Sequence, residues 1–356
     1  MSLLRRNFAK TLAAGVAGAA ALAAPAARAA APTGTAARPP VLLPRRLQPG
    51  DTIALVSPAN ATFDREQFDI AHESLTALGF KVREGRFAHA RRGAFGGTDA
   101  DRAADVNAQF ADDGVAGIMA MTGGSGCNRI LDKLDYALIR RKPKYFGGFS
   151  DLTSLVNGIH QQTGLVTFHA PMATSEWNAY SVEAFQSLVM RGETPRLANP
   201  APELGDELAQ RQDRTRTIRG GKARGVIAGG NLAVLTSLAG TPYFPDLRGA
   251  ILFIEEVNEY IYRVDRMLST LRLMGVLDQV AGVVLGHFTN CEPGTDGYGA
   301  LTLDEVFDDY FLPLGVPVYR GAMIGHIRRK LTLPLGGQAE LDADACTLQI
   351  LAPAVA

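Results

Sequence analysis

The run Thr52-Ile53-Ala54-Leu55-Val56 is apolar without alternation, and turn residues bound it on both sides, Pro49-Gly50-Asp51 before and Ser57-Pro58-Ala59 after. A strand with one wet face alternates polar and apolar residues, so an unbroken run suits a strand covered on both faces, as in a parallel sheet. Directly after it Phe68, Ala71, Leu75 and Leu78 recur at helical spacing and stop at Gly79, a glycine placed to end a helix. Strand followed by helix opens an α/β fold, and the alternation continues. Residues 101–110 read as helix, 115–121 as a strand ending in Gly123-Gly124-Ser125-Gly126, and 128–138 as helix. Residues 144–151 read as a strand running into the helical pattern Leu152, Leu155, Val156, Ile159.

A polar, proline-containing stretch from 193 to 222 shows no clear period and reads as a linker. Beyond it, strand-like runs at 249–255, 280–285 and 316–319 flank a helix with the face Ile261, Val264, Leu268 and Leu271. The expected fold is α/β in two domains. Residues 47–192 would carry a doubly wound parallel sheet and residues 223–356 a mixed sheet. With 356 residues, 47% of them hydrophobic, the chain has enough apolar material for cores of that size.

Residues 1–29 read as an address rather than as structure. A basic start is followed by an Ala/Leu/Gly/Val run from Thr11 to Ala24 and by Ala27-Arg28-Ala29, the three-part layout of an export signal. Arg5-Arg6-Asn7-Phe8-Ala9-Lys10 matches the R-R-x-F-x-K core of twin-arginine signals, so that route is the preferred reading. Cleavage near Ala30 would leave an Ala/Pro-rich flexible leader over residues 30–46, and a periplasmic protein with no membrane association. Charge sharpens this. The whole chain balances 36 basic against 36 acidic residues, but the signal holds Arg5, Arg6, Lys10 and Arg28 and no acid, so the mature protein would carry −4. A dedicated nucleic-acid binder usually carries a basic excess, and that class is excluded.

Three scattered cysteines, Cys127, Cys291 and Cys346, make neither a disulfide framework nor a C-x-x-C zinc site. The six histidines show no H-x-x-x-H pair, so no metal is expected. Gly148-Phe149-Ser150-Asp151 places a serine at a strand end where a helix begins. That is the position of a nucleophile elbow, with helix N–H groups available to an oxyanion. It is equally the position of a helix N-cap, which local sequence favours, and Leu152 breaks the G-x-S-x-G rule of α/β-hydrolases. The Gly123-Gly124 turn lacks a phosphate-loop pattern; a close-approach turn that lends an N–H to a neighbouring site is the simpler reading. Glu255, Glu256 and Glu259 end an apolar run, either as acids of the next helix's first turn or with one of them orienting a histidine. Among the histidines, His326 in Gly325-His326-Ile327-Arg328 lies in a loop that could reach a cleft.

The motifs taken together resemble the serine L,D-carboxypeptidases, or muramoyltetrapeptide carboxypeptidases, whose superfamily includes the microcin C immunity proteins. The resemblance spans residues 47 to about 350. It rests on Pro49-Gly50-Asp51 with Ser57-Pro58-Ala59, Gly123-Gly124-Ser125-Gly126 with Asn128-Arg129, and Gly148-Phe149-Ser150-Asp151-Leu152-Thr153. It continues through Thr167-Phe168-His169-Ala170-Pro171-Met172, Gly229-Gly230-Asn231-Leu232, Glu255-Glu256-Val257-Asn258-Glu259 and Gly325-His326 with Leu333-Pro334-Leu335-Gly336. The resemblance implies a site in the cleft between the domains, with Ser150 as nucleophile, His326 as general base and Glu255 as its carboxylate. The backbone N–H of Asp151 and one from Gly123 or Gly124 would form the oxyanion hole. No cofactor is implied, and the substrate would be a muropeptide losing its terminal D-Ala; members commonly form homodimers. Thr122 and Ser125 depart from the family's usual Arg and bulky residue, and Ala170 from its usual Gly, which bears on the substrate more than on the triad. Two other readings stand beside this one. An immunity hydrolase of aminoacyl sulfamoyl adenylates would need an aromatic to stack on adenine, for which Trp177 is not obviously placed. A non-catalytic periplasmic binding protein would keep the fold without turnover.

Overall fold

The computed structural model describes residues 38–202, 206, 208–294 and 301–356. The signal segment and residues 30–37 of the leader lie outside them. Alternating strands and helices build the first domain: β1 (Thr52–Val56), α1 (Arg65–Ala77), β2 (Lys81–Glu84), α2 (Asp99–Ala111), β3 (Gly117–Ala120), α3 (Tyr136–Arg141), β4 (Tyr145–Gly147), α4 (Thr153–Thr163), β5 (Thr167–His169) and α5 (Ala179–Phe185). The second comprises β6 (Arg196–Leu197), β7 (Arg216–Arg219), β8 (Lys222–Asn231), α6 (Leu232–Ser237), β9 (Ile251–Val257), α7 (Ile261–Leu273), β10 (Gly282–Thr289), α8 (Leu303–Phe311), β11 (Val318–Arg320), β13 (Gln338–Asp342) and β14 (Thr347–Ile350), while β12 (Leu333–Leu335), although it lies within the stretch expected to form the second domain, returns to the first sheet.

The first sheet runs β2-β1-β3-β4-β5-β12, parallel except for β12. The parallel part has the 2-1-3-4-5 order of a doubly wound sheet, in which ligands bind beyond the strand C-termini where the winding reverses, between β1 and β3. Ile53, Ala54, Leu55 and Val56 are fully buried, as the unbroken apolar run requires. The second sheet is mixed, in the order β6-β14-β13-β8-β9-β10-β11-β7, with β8 to β11 parallel and antiparallel strands on both flanks.

α4 joins the two layers. Residues 153–159 are buried all round it, the mark of a helix covered on every side. Its Asn157 Nδ2 donates to Gly229 O at 2.8 Å, and Thr153 Oγ1 accepts from Asn231 N at 2.9 Å, both at the end of β8. Each fully buried aliphatic side chain on it, such as Leu155 or Ile159, contributes about 1.5–3 kcal/mol.

Three stretches differ from the sequence expectation. Residues 128–138 are not one helix: a 3-10 segment (Cys127–Lys133) ends at extended Leu134, and Asp135 caps the separate α3 by accepting from Leu138 N at 2.8 Å. The stretch read as linker supplies β6 and β7, both at sheet edges where a short polar strand pairs on one side only. Residues 38–46 of the leader are bonded to the body, with Leu42 N donating to Gly164 O (2.8 Å) and Arg46 N to Ala356 O (3.0 Å).

Candidate active site

β4 ends at Gly147, and the chain turns through Phe149 into Ser150, whose φ is +62°. A non-glycine residue there costs on the order of 1–2 kcal/mol, and such strain survives only where its surroundings enforce it. Gly148 is part of that enforcement, because a Cβ on it would lie 2.7 Å from Cγ of the buried Leu152. Leu152 thus fills the space a side chain at 148 would need, so this elbow keeps the first glycine of the pattern and has a leucine in place of the second. Ser150 opens a 3-10 turn (Ser150–Leu152), and neither that turn nor α4 has a side-chain cap, so the N-cap reading does not hold. The Asp151 carboxylate is buried and accepts from Cys127 N at 2.8 Å, which fixes the turn from behind.

The Gly123-Gly124 turn follows β3, the next strand over. A Cβ on Gly123 would stand 2.9 Å from Ser150 Cβ and 3.0 Å from its Oγ, so only glycine permits this approach. Gly124 has φ +119°, and a Cβ on it would overlap the Asn60 amide. Asn60, beyond the end of β1, braces the turn from both sides: its N–H donates to Gly123 O at 3.2 Å and its Oδ1 accepts from Ser125 N at 3.1 Å. Sequence reasoning stopped at Ser57-Pro58-Ala59 and missed it, although an Asn just after an apolar strand and before a turn was the available signal.

Glu255 and Glu256 belong to β9, not to the first turn of α7, whose N-cap is Tyr260. Adjacent strand residues face opposite ways, and so do these. Glu255 is fully buried, and its Oε2 accepts from His326 Nδ1 at 2.8 Å. Gly325 makes the approach possible, with φ +120° and a hypothetical Cβ 2.8 Å from that oxygen. Glu256 turns to α6, accepting from Asn231 Nδ2, Ala233 N and Val257 N at 2.7–2.8 Å. Burial pushes its pKa up to about 7.

The other described histidines are occupied or enclosed. His72 and His89 bond Glu84, and His160 bonds Leu165 O. His169 stands edge-on to Phe253 with ring centres 5.1 Å apart, and burial holds its pKa down at about 3, so it remains neutral. His287 is lowered by burial as well. Among the described histidines only His326 combines a buried carboxylate partner with a place on the cavity wall.

That cavity, about 720 Å³, is lined by Ser150, His326, Gly123 and Gly124, with Asn60 behind and Phe63, Glu176 and Lys330 around it. Trp177 is not on its wall; the indole packs against Phe185 at 5.3 Å. Among the described residues no three His, Cys, Asp or Glu side chains gather as a metal site.

The layout is that of a two-domain α/β serine hydrolase, with a serine just past a strand end of the first sheet, a buried acid on β9 of the second, and a histidine in the loop that leads from β11 to β12. Residues 53–170 match the N-terminal domain model of LD-carboxypeptidases, and residues 224–341 match the C-terminal one. A Bacillus subtilis protein described as "Probable murein peptide carboxypeptidase" is 36% identical over 84% of this chain and 91% of its own. The solved structure of MccF in complex with glutamyl sulfamoyl guanosine superposes with a TM-score of 0.79 at 29% identity, covering 88% of this chain and all of that one. The muramoyltetrapeptide carboxypeptidase from Oxalobacter formigenes gives 0.72 at 27% identity, over 84% and 97% of the two chains. The chain belongs to the LD-carboxypeptidase family and is a serine carboxypeptidase.

Proposed function

We propose that this carboxypeptidase releases the terminal D-Ala from murein tetrapeptides outside the cytoplasm, with Ser150 as nucleophile, His326 as general base and Glu255 as its orienting carboxylate. The observation that carries the reading is the 2.8 Å Glu255–His326 pair facing the same cavity as a serine at positive φ. Nδ1–H bound to Glu255 leaves Nε2 as the proton acceptor. Ser150 Oγ attacks the carbonyl carbon between the L-centre of the diamino acid and D-Ala while Nε2 takes the hydroxyl proton. The N–H groups of Asp151 and of the Gly123-Gly124 turn would stabilise the oxyanion. The imidazolium returns its proton to the D-Ala nitrogen as the C–N bond breaks, and water, deprotonated by His326, hydrolyses the acyl ester. The Ser150 hydroxyl makes no hydrogen bond among the described residues; in unliganded enzymes that bond is often long and tightens on substrate.

Mass spectrometry on a defined tetrapeptide tests this. D-Ala release that persists in a chelator and disappears in Ser150→Ala is expected; release undiminished in Ser150→Ala would sink the assignment. Export rests on residues 1–29, and fractionation finding the protein in the cytoplasm would remove that part.

A second reading, hydrolysis of an aminoacyl sulfamoyl nucleoside, is favoured by the likeness to MccF and by Phe63. Its exposed ring lies on the cavity wall, where it could stack on a base. Faster turnover of such a compound than of the tetrapeptide would establish it. Tight muropeptide binding with neither reaction would instead indicate a binding protein.

A further inference from the structure

Arg328-Arg329-Lys330 reads in sequence as a solvated basic run. The fold separates its members. Arg328 is largely exposed and paired with Glu176 at 2.5 Å, and Arg329 is tied to Asp213. Lys330 is only 5% exposed, its backbone N–H bonds Ser181 Oγ at 3.0 Å, and its ammonium stands 4.7 Å from the centre of the Phe149 ring. Phe149 immediately precedes Ser150, and its ring also meets His326 edge-on at 5.0 Å, so this cation sits beside the nucleophile and its base. Lys330 lines the same cavity as both.

The ammonium has no hydrogen bond or ion pair among the described residues. The acids that attract it, Glu176 and Glu255, are already engaged with Arg328 and His326. Burial draws its pKa below the ordinary lysine value. A side chain needed only to fill this space would cost less as a hydrocarbon, since an unpaired buried charge is unfavourable. A cavity wall that keeps one nonetheless is suited to an anion.

We propose that Lys330 receives the terminal carboxylate of the substrate, one residue beyond the bond Ser150 attacks, and so restricts cleavage to the chain end. The proposal rests on the site assignment given under Proposed function. A free carboxylate would complete a charge-assisted hydrogen bond to the ammonium, whereas an amide or a longer peptide would leave the charge buried and unpaired.

The experiment compares a tetrapeptide with its C-terminal amide on the wild type, Lys330→Met and Lys330→Arg. The wild type is expected to prefer the acid by about ten- to a hundredfold in kcat/KM. In Lys330→Met that ratio should fall toward one, mainly through loss on the acid, while Lys330→Arg keeps part of the preference. Lys330→Gln, which has a polar tip without charge, replaces Lys330→Met if thermal melting shows that the latter does not fold. Equal use of acid and amide by the wild type would overturn the proposal. So would an unchanged ratio in the uncharged variant with both substrates slowed together, because that is the signature of a lysine serving Glu255 or packing. A wild type that cleaves neither peptide overturns the functional reading, and this proposal with it.

Discussion

The ends of β4 and β9 prepare their side chains by opposite means. At β4, Ser150 is set by backbone geometry and by missing side chains: a φ of +62°, with Gly148 behind it and Gly123 in front. At β9 the backbone is ordinary strand, and Glu255 and Glu256 are set by burial and by hydrogen bonds to His326 on one side and to the N-terminus of α6 on the other. The first arrangement depends on volume and the second on charge. A methyl group should disturb the one, and a change of proton or charge the other.

The largest effect is expected at β9. Glu255→Gln keeps the shape but turns an acceptor of the His326 proton into a group that can donate, which favours the wrong imidazole tautomer. Replacing a triad carboxylate by its amide typically lowers kcat about 10⁴-fold. Steady-state kinetics on the tetrapeptide measures this, and a loss below about tenfold would mean that the charge of β9 is not what readies His326. Gly123→Ala comes next. Its methyl would meet Ser150 Cβ and Oγ at 2.9 and 3.0 Å, so the turn or the serine must move. A displacement of about 1 Å at a reacting group lowers kcat about a hundredfold. Full activity in Gly123→Ala would show that the elbow yields, and the contrast between the two strand ends would weaken.

The same contrast explains what could be read in advance. The core of β1 and the buried faces of α1 and α7 were legible because each is local: Phe68, Ala71 and Leu75, or Ile261, Val264, Leu268 and Leu271, repeat at the helical period and are all buried. The break at Leu134 and Asp135 was not, since apolar residues continue through it. β12 was not legible either. Leu333-Pro334-Leu335 pairs antiparallel with β5 across more than 160 residues of chain, and three residues with a proline give no strand signal of their own. At the site, local sequence favoured the cap for Ser150, and only the family resemblance put the nucleophile ahead of it. The residues sequence passed over, Asn60 and Lys330, act through tertiary placement: one supports a turn from another strand, and the other is buried out of a basic run.

The smallest effect is a pH dependence of stability from Glu256. Burial raises its pKa, the neighbouring Glu255 charge adds to this, and the three N–H donors oppose it, leaving a value of about 7 against 4.5 in the absence of the fold. Between those values the folded protein holds a proton there that the unfolded chain has released. Stability from this group is therefore fully present below about pH 4.5 and is lost as pH rises through 7, at about 1.4 kcal/mol per unit and roughly 3 kcal/mol in all. Urea unfolding of wild type and Glu256→Gln from pH 5 to 8 isolates this component, which the variant should lack. If both proteins keep the same slope, Glu256 is already ionised at neutral pH, and the amide hydrogen bonds of α6 outweigh burial. The charge on β9 would then be held in the way Ser150 is, by what the neighbouring backbone supplies.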